Sequence, residues 1–325
     1  MTNMDDKKKL LPVAIMAHNE EKVIQKAIES VFSQDLPSGY SVLALVTANG
    51  CSDSTEEIVK NLQKQYGERI MLISIREKGK TKALNKTISF LEHLMEEQWA
   101  IPYVVLLDAD CQFIGKSALI DFIERFDQNP YLQAIGADCL PDVLFDSRKG
   151  IVAGIYRAIH EFGKDISINS ISGMCYGIRL EVLRKIDFPD IQFAEDMYVS
   201  ARLDGWFLRD RAIQIMFRTP RNLQSEIKRR TRQEISTQRY HDCYSYMKNQ
   251  GKKVKLFEGA LREHYRWWGA NDNDMLKTWM RVKGIKTKFL VVMYISIRAL
   301  TKIKAAYHFK KMRKNSELDY WKVER

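Results

Sequence analysis

Short apolar runs alternate with amphipathic stretches over the first 140 residues. LLPVAIMA (10–17) is continuous enough for a buried strand, and the spacing over 20–33 predicts a helix that stops at SQDLPSGY. SVLALVTA (41–48) reads as a second strand. NGCSDST then opens a helix near Thr55, with Ser54 and Glu57 at capping-box spacing. MLISI (71–75), a helix over 81–97 and YVVLL (103–107) complete the pattern. Apolar strands without alternation, separated by helices, mark a parallel sheet covered on both faces. Such sheets bind ligands at the carboxyl ends of their strands, so chemistry is expected just after each run.

Those positions hold HNEE (18–21), NGCSD (49–53), REKGK (76–80) and DAD (108–110). Loops are polar in any case, which accounts for much of each one singly. It accounts less well for two aspartates abutting YVVLL. If the segment stays extended, Asp108 and Asp110 face the same side and can share one ion. Their oxygens suit Mg²⁺ or Mn²⁺, which take one or two carboxylates and fill the other positions with phosphate and water. A second D-x-D, Asp272-Asn-Asp274, has no strand before it and reads as a surface loop. GKT at 79–81 is not a P-loop, because the required earlier glycine is Ser74. Lys80 serves either a bound phosphate or only the start of a helix. Asp53 serves either a nucleotide or the cap of the following helix.

Charge divides the chain. Residues 1–200 carry 22 Lys/Arg against 29 Asp/Glu, and residues 201–325 carry 30 against 12, within a net +11. Nucleic acid is therefore not an expected partner of the first part. Five scattered cysteines without a CxxC indicate reduced thiols, and the first residues lack a signal-peptide pattern. Both point to the cytoplasm.

Six segments in order resemble family 2 inverting glycosyltransferases of the GT-A fold over residues 10–210. They are AIMAHNEE (14–21), VTANGCSDST (46–55), KGKTKALN (78–85), DAD (108–110), SGMCYGIRLEVL (172–183) and AEDMYVSARLDGW (194–206). The resemblance implies an α/β fold with a mostly parallel Rossmann-like sheet covered by helices. It implies a catalytic domain over 1–215, with a nucleotide-sugar half at about 10–112 and an acceptor half at 113–215. It places donor contacts at Ala17, Glu20, Asn49, Asp53, Lys80 and Asp108, the Mn²⁺ or Mg²⁺ ligand at Asp110 and the catalytic base at Asp196. Two acids at 195–196 also suit a helix N-terminus without any catalytic role. Where the second signature commonly has an acid, this chain has Asn49, which leaves the base open with uracil as first guess. Processive members carry Gln-x-x-Arg-Trp, whereas KRRTRQE (228–234) lacks the tryptophan. Transfer of a single sugar from a nucleotide-diphosphate sugar to a glycan or lipid-linked hydroxyl is the expected activity. A sugar-nucleotide nucleotidyltransferase is the first alternative, but AHNEEKV replaces its glycine-rich loop.

Residues 216–325 are expected to form a basic, mainly helical region. Arg229, Arg230 and Arg232 either reach the diphosphate or line a solvated face. His264 is either a metal ligand or packed beside aromatics, and Trp267 with Trp268 either stack on sugar or close a small core. Residues 275–314 hold 12 Lys/Arg and no acid. Phe289, Met293, Leu300, Ile303 and Tyr307 fall near one helical face. That helix either lies on an anionic membrane surface, as a peripheral enzyme of bacterial surface-glycan assembly would, or packs its stripe on protein. A non-catalytic basic binding protein is the remaining alternative and rests on charge alone.

Overall fold

The computed structural model describes residues 8–96, 101–163, 171–186, 188, 194–203, 206–249, 279 and 283–314. Contacts divide the chain into two units. One comprises Met1–Leu140, Ser170–Ile191 and Arg202–Phe217, and the other comprises Pro141–Asn169, Gln192–Ala201 and Arg218–Arg325.

The first unit is built on one eight-stranded sheet. Its strands are β1 (Lys9–Ala17), β2 (Tyr40–Asn49), β3 (Ile70–Ile75), β4 (Tyr103–Asp108), β5 (Cys111–Phe113), β6 (Ala134–Pro141), β7 (Cys175–Arg179) and β8 (Phe207–Phe217). The spatial order is β3-β2-β1-β4-β7-β6-β8-β5. β1 pairs in parallel with β2 and β4, and β2 with β3, so four carboxyl ends share one edge. β7 runs antiparallel to β4 and begins the mixed half. β1, β2 and β4 read as almost uninterrupted apolar runs because both faces are covered. Leu11, Val13, Ile15, Leu45, Val46, Val105 and Leu107 are all fully buried.

Helices α1 (Ile24–Phe32), α2 (Thr55–Tyr66), α3 (Lys80–Glu96) and α4 (Ala118–Gln128) cover the sheet. α4 approaches so closely that a Cβ on Gly177 of β7 would sit 2.8 Å from the Phe122 ring and 2.9 Å from that of Phe126. Glycine is the residue that lets this helix and strand meet. The predicted Ser54 cap is replaced: Ser54 makes no side-chain capping bond. Asp53 Oδ1 instead accepts from the Thr55 amide at 3.1 Å. α1 begins later than expected: a hydrogen-bonded turn closed on Glu20 O comes first, and Val23 at φ −136° is outside the helical range.

The short α6 (Leu180–Leu183) follows β7 directly. The second unit holds α5 (Ile151–Gly163), α7 (Glu195–Arg202), α8 (Leu223–Asn249) and α9 (Ile285–Lys314). α9 packs Tyr294 and Ile297 against Ile155 of α5, with Ile227 of α8 alongside. Gly154 allows the approach, since a Cβ there would lie 3.1 Å from Leu290. Glu226 on α8 is completely buried and accepts from Tyr156 Oη and Arg230 Nε, each at 2.8 Å. Arg229 Nε stands 3.4 Å from the same carboxylate and Arg229 also bonds the Tyr156 hydroxyl.

Candidate active site

The carboxyl edge of the parallel strands carries two loops that are tied to each other. Asn19 sits at φ 57°, a left-handed conformation that asparagine tolerates better than most residues. Its Oδ1 accepts from the Ser52 amide at 2.8 Å. Glu20 N–H donates to Thr55 Oγ1 at 2.8 Å, and Glu21 N–H to Asp53 Oδ2 at 3.1 Å. Ser54 N–H returns a bond to Glu21 Oε2 at 3.2 Å. Burial raises the Asp53 carboxyl, but the Thr55 hydroxyl and the Glu21 and Thr55 amides outweigh it and hold the group below its ordinary value. Asp53 therefore secures the first loop to the start of α2. Asn19, Glu21 and Thr55 were not singled out as site residues in the sequence. The asparagine at the strand–loop corner was the available signal.

Asn49, 3% exposed, ends β2. In the amide orientation that satisfies both its groups, the nitrogen donates to Ala17 O at 2.8 Å and the oxygen accepts from Gly79 N–H at 3.1 Å. Three loops meet on this one side chain. His18 Nδ1 contacts the Asn49 carbonyl. Gly50 follows at φ 57°, where a Cβ would stand 2.6 Å from Lys78 Cγ.

Asp108 is the last residue of β4, paired in register with Met16 of β1. Its amide donates to Met174 O at 2.8 Å, which anchors it to the segment before β7. Its Oδ1 accepts from Lys80 Nζ at 2.7 Å, and the same ammonium donates to Gly173 O at 3.2 Å. The chain turns at 109–110 before β5, so the extended D-x-D geometry anticipated from sequence is not adopted. Asp110 lies in that turn, with Cys111 Sγ 3.6 Å from its Oδ1. Burial, with Asp110 and Asp108 beside it, pushes the Cys111 thiol well up, and burial pushes Cys139 up to about 11. Among the described residues no cluster of three or more His, Cys, Asp or Glu side chains can hold a metal. A carboxylate oxygen such as that of Asp110 suits Mg²⁺ or Mn²⁺ whose remaining positions are filled by phosphate oxygens and water.

Asp196 lies in the second unit, in the first turn of α7, where Oδ1 accepts from the Met197 amide at 2.9 Å. Met197, Tyr198, Val199 and Ser200 are buried beneath it. Arg229 and Arg230 are engaged by Glu226, while Arg232 is exposed. His264, Trp267, Trp268 and Asp272-Asn-Asp274 lie outside the described residues.

Residues 13–187, more than half of the chain, match the sequence profile of glycosyl transferase family 2. The chain belongs to that family. A 100-residue stretch is 35% identical to the glycosyltransferase AglE of Haloferax volcanii, and covers 30% of this chain and 30% of that protein. The fold is also that of a solved mannosyltransferase, PcManGT from Pyrobaculum calidifontis, in complex with GDP-Man and Mn²⁺. That likeness has a TM-score of 0.57 at 15% identity, over 98% of this chain and 88% of that one. TarS of S. aureus (residues 1–349) is similar at a TM-score of 0.47 and 15% identity, over 95% and 92%. This family 2 chain thus has the GT-A architecture, with its sheet edge carrying Asp108, Asp110 and Lys80.

Proposed function

We propose that this family 2 chain transfers a single sugar, with inversion, from a nucleotide-diphosphate sugar to a hydroxyl of a glycan or lipid-linked acceptor. The observation that carries the reading is the Lys80–Asp108 pair beside Asp110, at the sheet edge where parallel α/β folds bind nucleotides. Asp110 would hold Mn²⁺ or Mg²⁺, which supplies charge neutralisation to the departing diphosphate. Lys80, already half-buried and cationic there, turns from Asp108 to a donor phosphate oxygen. The laced loops at Ala17, Glu20, Asn49 and Asp53 provide the rigid seat for the nucleoside. Asp196 accepts the proton of the acceptor hydroxyl as it attacks the anomeric carbon, a general-base role suited to a partly exposed carboxylate. Residues 1–215 carry the chemistry and 216–325 the basic helical region. A UDP-sugar is the first donor to test, and GDP-mannose the second because the mannosyltransferase relative holds GDP-Man.

Thermal unfolding with UDP, GDP, CDP and dTDP, each with and without Mn²⁺, tests the reading. A ligand at a hundred times its Kd adds about 2.7 kcal/mol, or roughly 5–11 °C for a domain of this size. One diphosphate is expected to stabilise the chain only with metal, and Asp110→Asn to abolish that gain. Asp196→Asn is expected to keep the gain but lose turnover, while the wild-type product is expected to have the anomeric configuration opposite to the donor by NMR. If no diphosphate stabilises the chain with metal, the reading is wrong.

A further inference from the structure

α9 is apolar on two opposite faces. Val291, Tyr294, Ile297, Thr301 and Ala305 are buried against α5 and α8. On the other side Ile285, Phe289, Val292, Leu300, Ile303 and Tyr307 stand in solvent, with Ile285, Phe289, Ile303 and Tyr307 each more than 60% exposed. At 3.6 residues per turn these six fall within about 80° of arc, a stripe of roughly 33 Å from Ile285 to Tyr307. Lys286 and Lys304 flank it on one side and Lys288 and Lys302 on the other, roughly 80–120° from its centre. No acid occurs anywhere in residues 275–314. None of the described helices is long and apolar enough to cross a membrane.

We propose that α9 is an interfacial helix whose Ile285–Tyr307 stripe enters an anionic lipid surface while its lysine flanks meet the headgroups. The inner face is already satisfied by α5 and α8, so the outer stripe is available without unpacking the helix. Charge selects the occupant. A second copy docked on the same stripe would set these lysines against their own counterparts, whereas anionic headgroups complement both flanks. The depth suits the interface, since a stripe lying parallel to the surface inserts only its side chains.

The test is co-sedimentation of the full chain with phosphatidylcholine vesicles, with and without phosphatidylserine, at low and high salt. Binding is expected only with phosphatidylserine, reduced by salt. Lys286→Gln with Lys304→Gln is expected to weaken it about 25-fold, at about fivefold per charge. Phe289→Ser with Ile303→Ser is expected to abolish it without lowering the unfolding midpoint. No binding at low salt overturns the proposal, as does binding that the Phe289/Ile303 variant leaves unchanged. A lipid-free dimer that this variant dissociates, seen by sedimentation velocity, assigns the stripe to a second copy and also overturns it.

Discussion

Replacing Glu226 by glutamine keeps the shape of the side chain and removes its charge. The carboxylate is fully buried and receives Tyr156 Oη and Arg230 Nε at 2.8 Å each, with Arg229 Nε at 3.4 Å. Arg230 also lies 4.9 Å above the Tyr294 ring, so its charge has little water to turn to once Glu226 is neutral. Breaking a buried pair from one side costs about 3–5 kcal/mol. Glutamine retains an acceptor for one of the donors, so about 3 kcal/mol is the expected loss, or roughly 6–12 °C in midpoint. The pH dependence follows from the same contacts. Burial raises the Glu226 carboxyl, but Arg230 and Arg229 outweigh it and hold it below its ordinary value. A depressed carboxyl contributes stability that is fully present above the unfolded value of about 4.5 and is lost as pH falls through the folded value. The gap between wild type and Glu226→Gln is therefore constant from neutrality to about pH 5 and closes below it. Urea unfolding followed by far-ultraviolet circular dichroism across that range measures both. The double replacement Glu226→Leu with Arg230→Leu is expected to recover only part of the loss, because the Arg230 charge is no longer stranded but Arg229 and the Tyr156 hydroxyl still lose the carboxylate. A single-variant loss under 1 kcal/mol, or a gap that widens in acid, refutes the account.

Gly177→Ala is expected to destabilise by about 1–3 kcal/mol in urea unfolding, because the new methyl meets the Phe122 and Phe126 rings at 2.8–2.9 Å. Phe122→Leu in the same chain is expected to recover part of the loss. Asp53→Asn is expected to cost about 1 kcal/mol by removing charge-assisted acceptors of the Glu21 and Thr55 amides. Since the Asp53 carboxyl is held down, that difference is present at neutral pH and vanishes as acid protonates the wild type.

The parallel half of the sheet was legible because doubly covered strands are apolar almost throughout: Leu11–Ala17 has no polar residue, and Val42–Ala48 has one, Thr47, whose buried hydroxyl pairs with that of Thr87 at 2.7 Å. The edge residues were legible for a similar reason: Asp108 abuts a buried run, and Lys80 follows the third strand. Helix starts were less so. Ser54 and Glu57 have the spacing of a cap, but the Thr55 amide is taken by Asp53, whose position depends on Glu21 from another loop. The turn at 109–110 depends on β5 pairing with the distant β8, which no local pattern encodes. α9 defeated periodicity altogether. Phe289, Leu300, Ile303 and Tyr307 are correctly grouped on one face, yet they are the solvent face, and Met293 belongs with the packed one. A helix apolar on two sides gives the sequence no means of choosing between them.

The bonds that join 19–21 to 52–55 also constrain how this molecule can diverge. Surface loops ordinarily accept insertions and deletions, since few contacts depend on their length. Here four hydrogen bonds, from Ser52, Glu20, Glu21 and Ser54, cross between the two loops in fixed register. Adding one residue to either loop shifts every partner at once, while exchanging a side chain that faces outward disturbs none. Descendants of this chain are thus free to vary the outward-facing residues of these two loops one at a time, and are held to its present loop lengths.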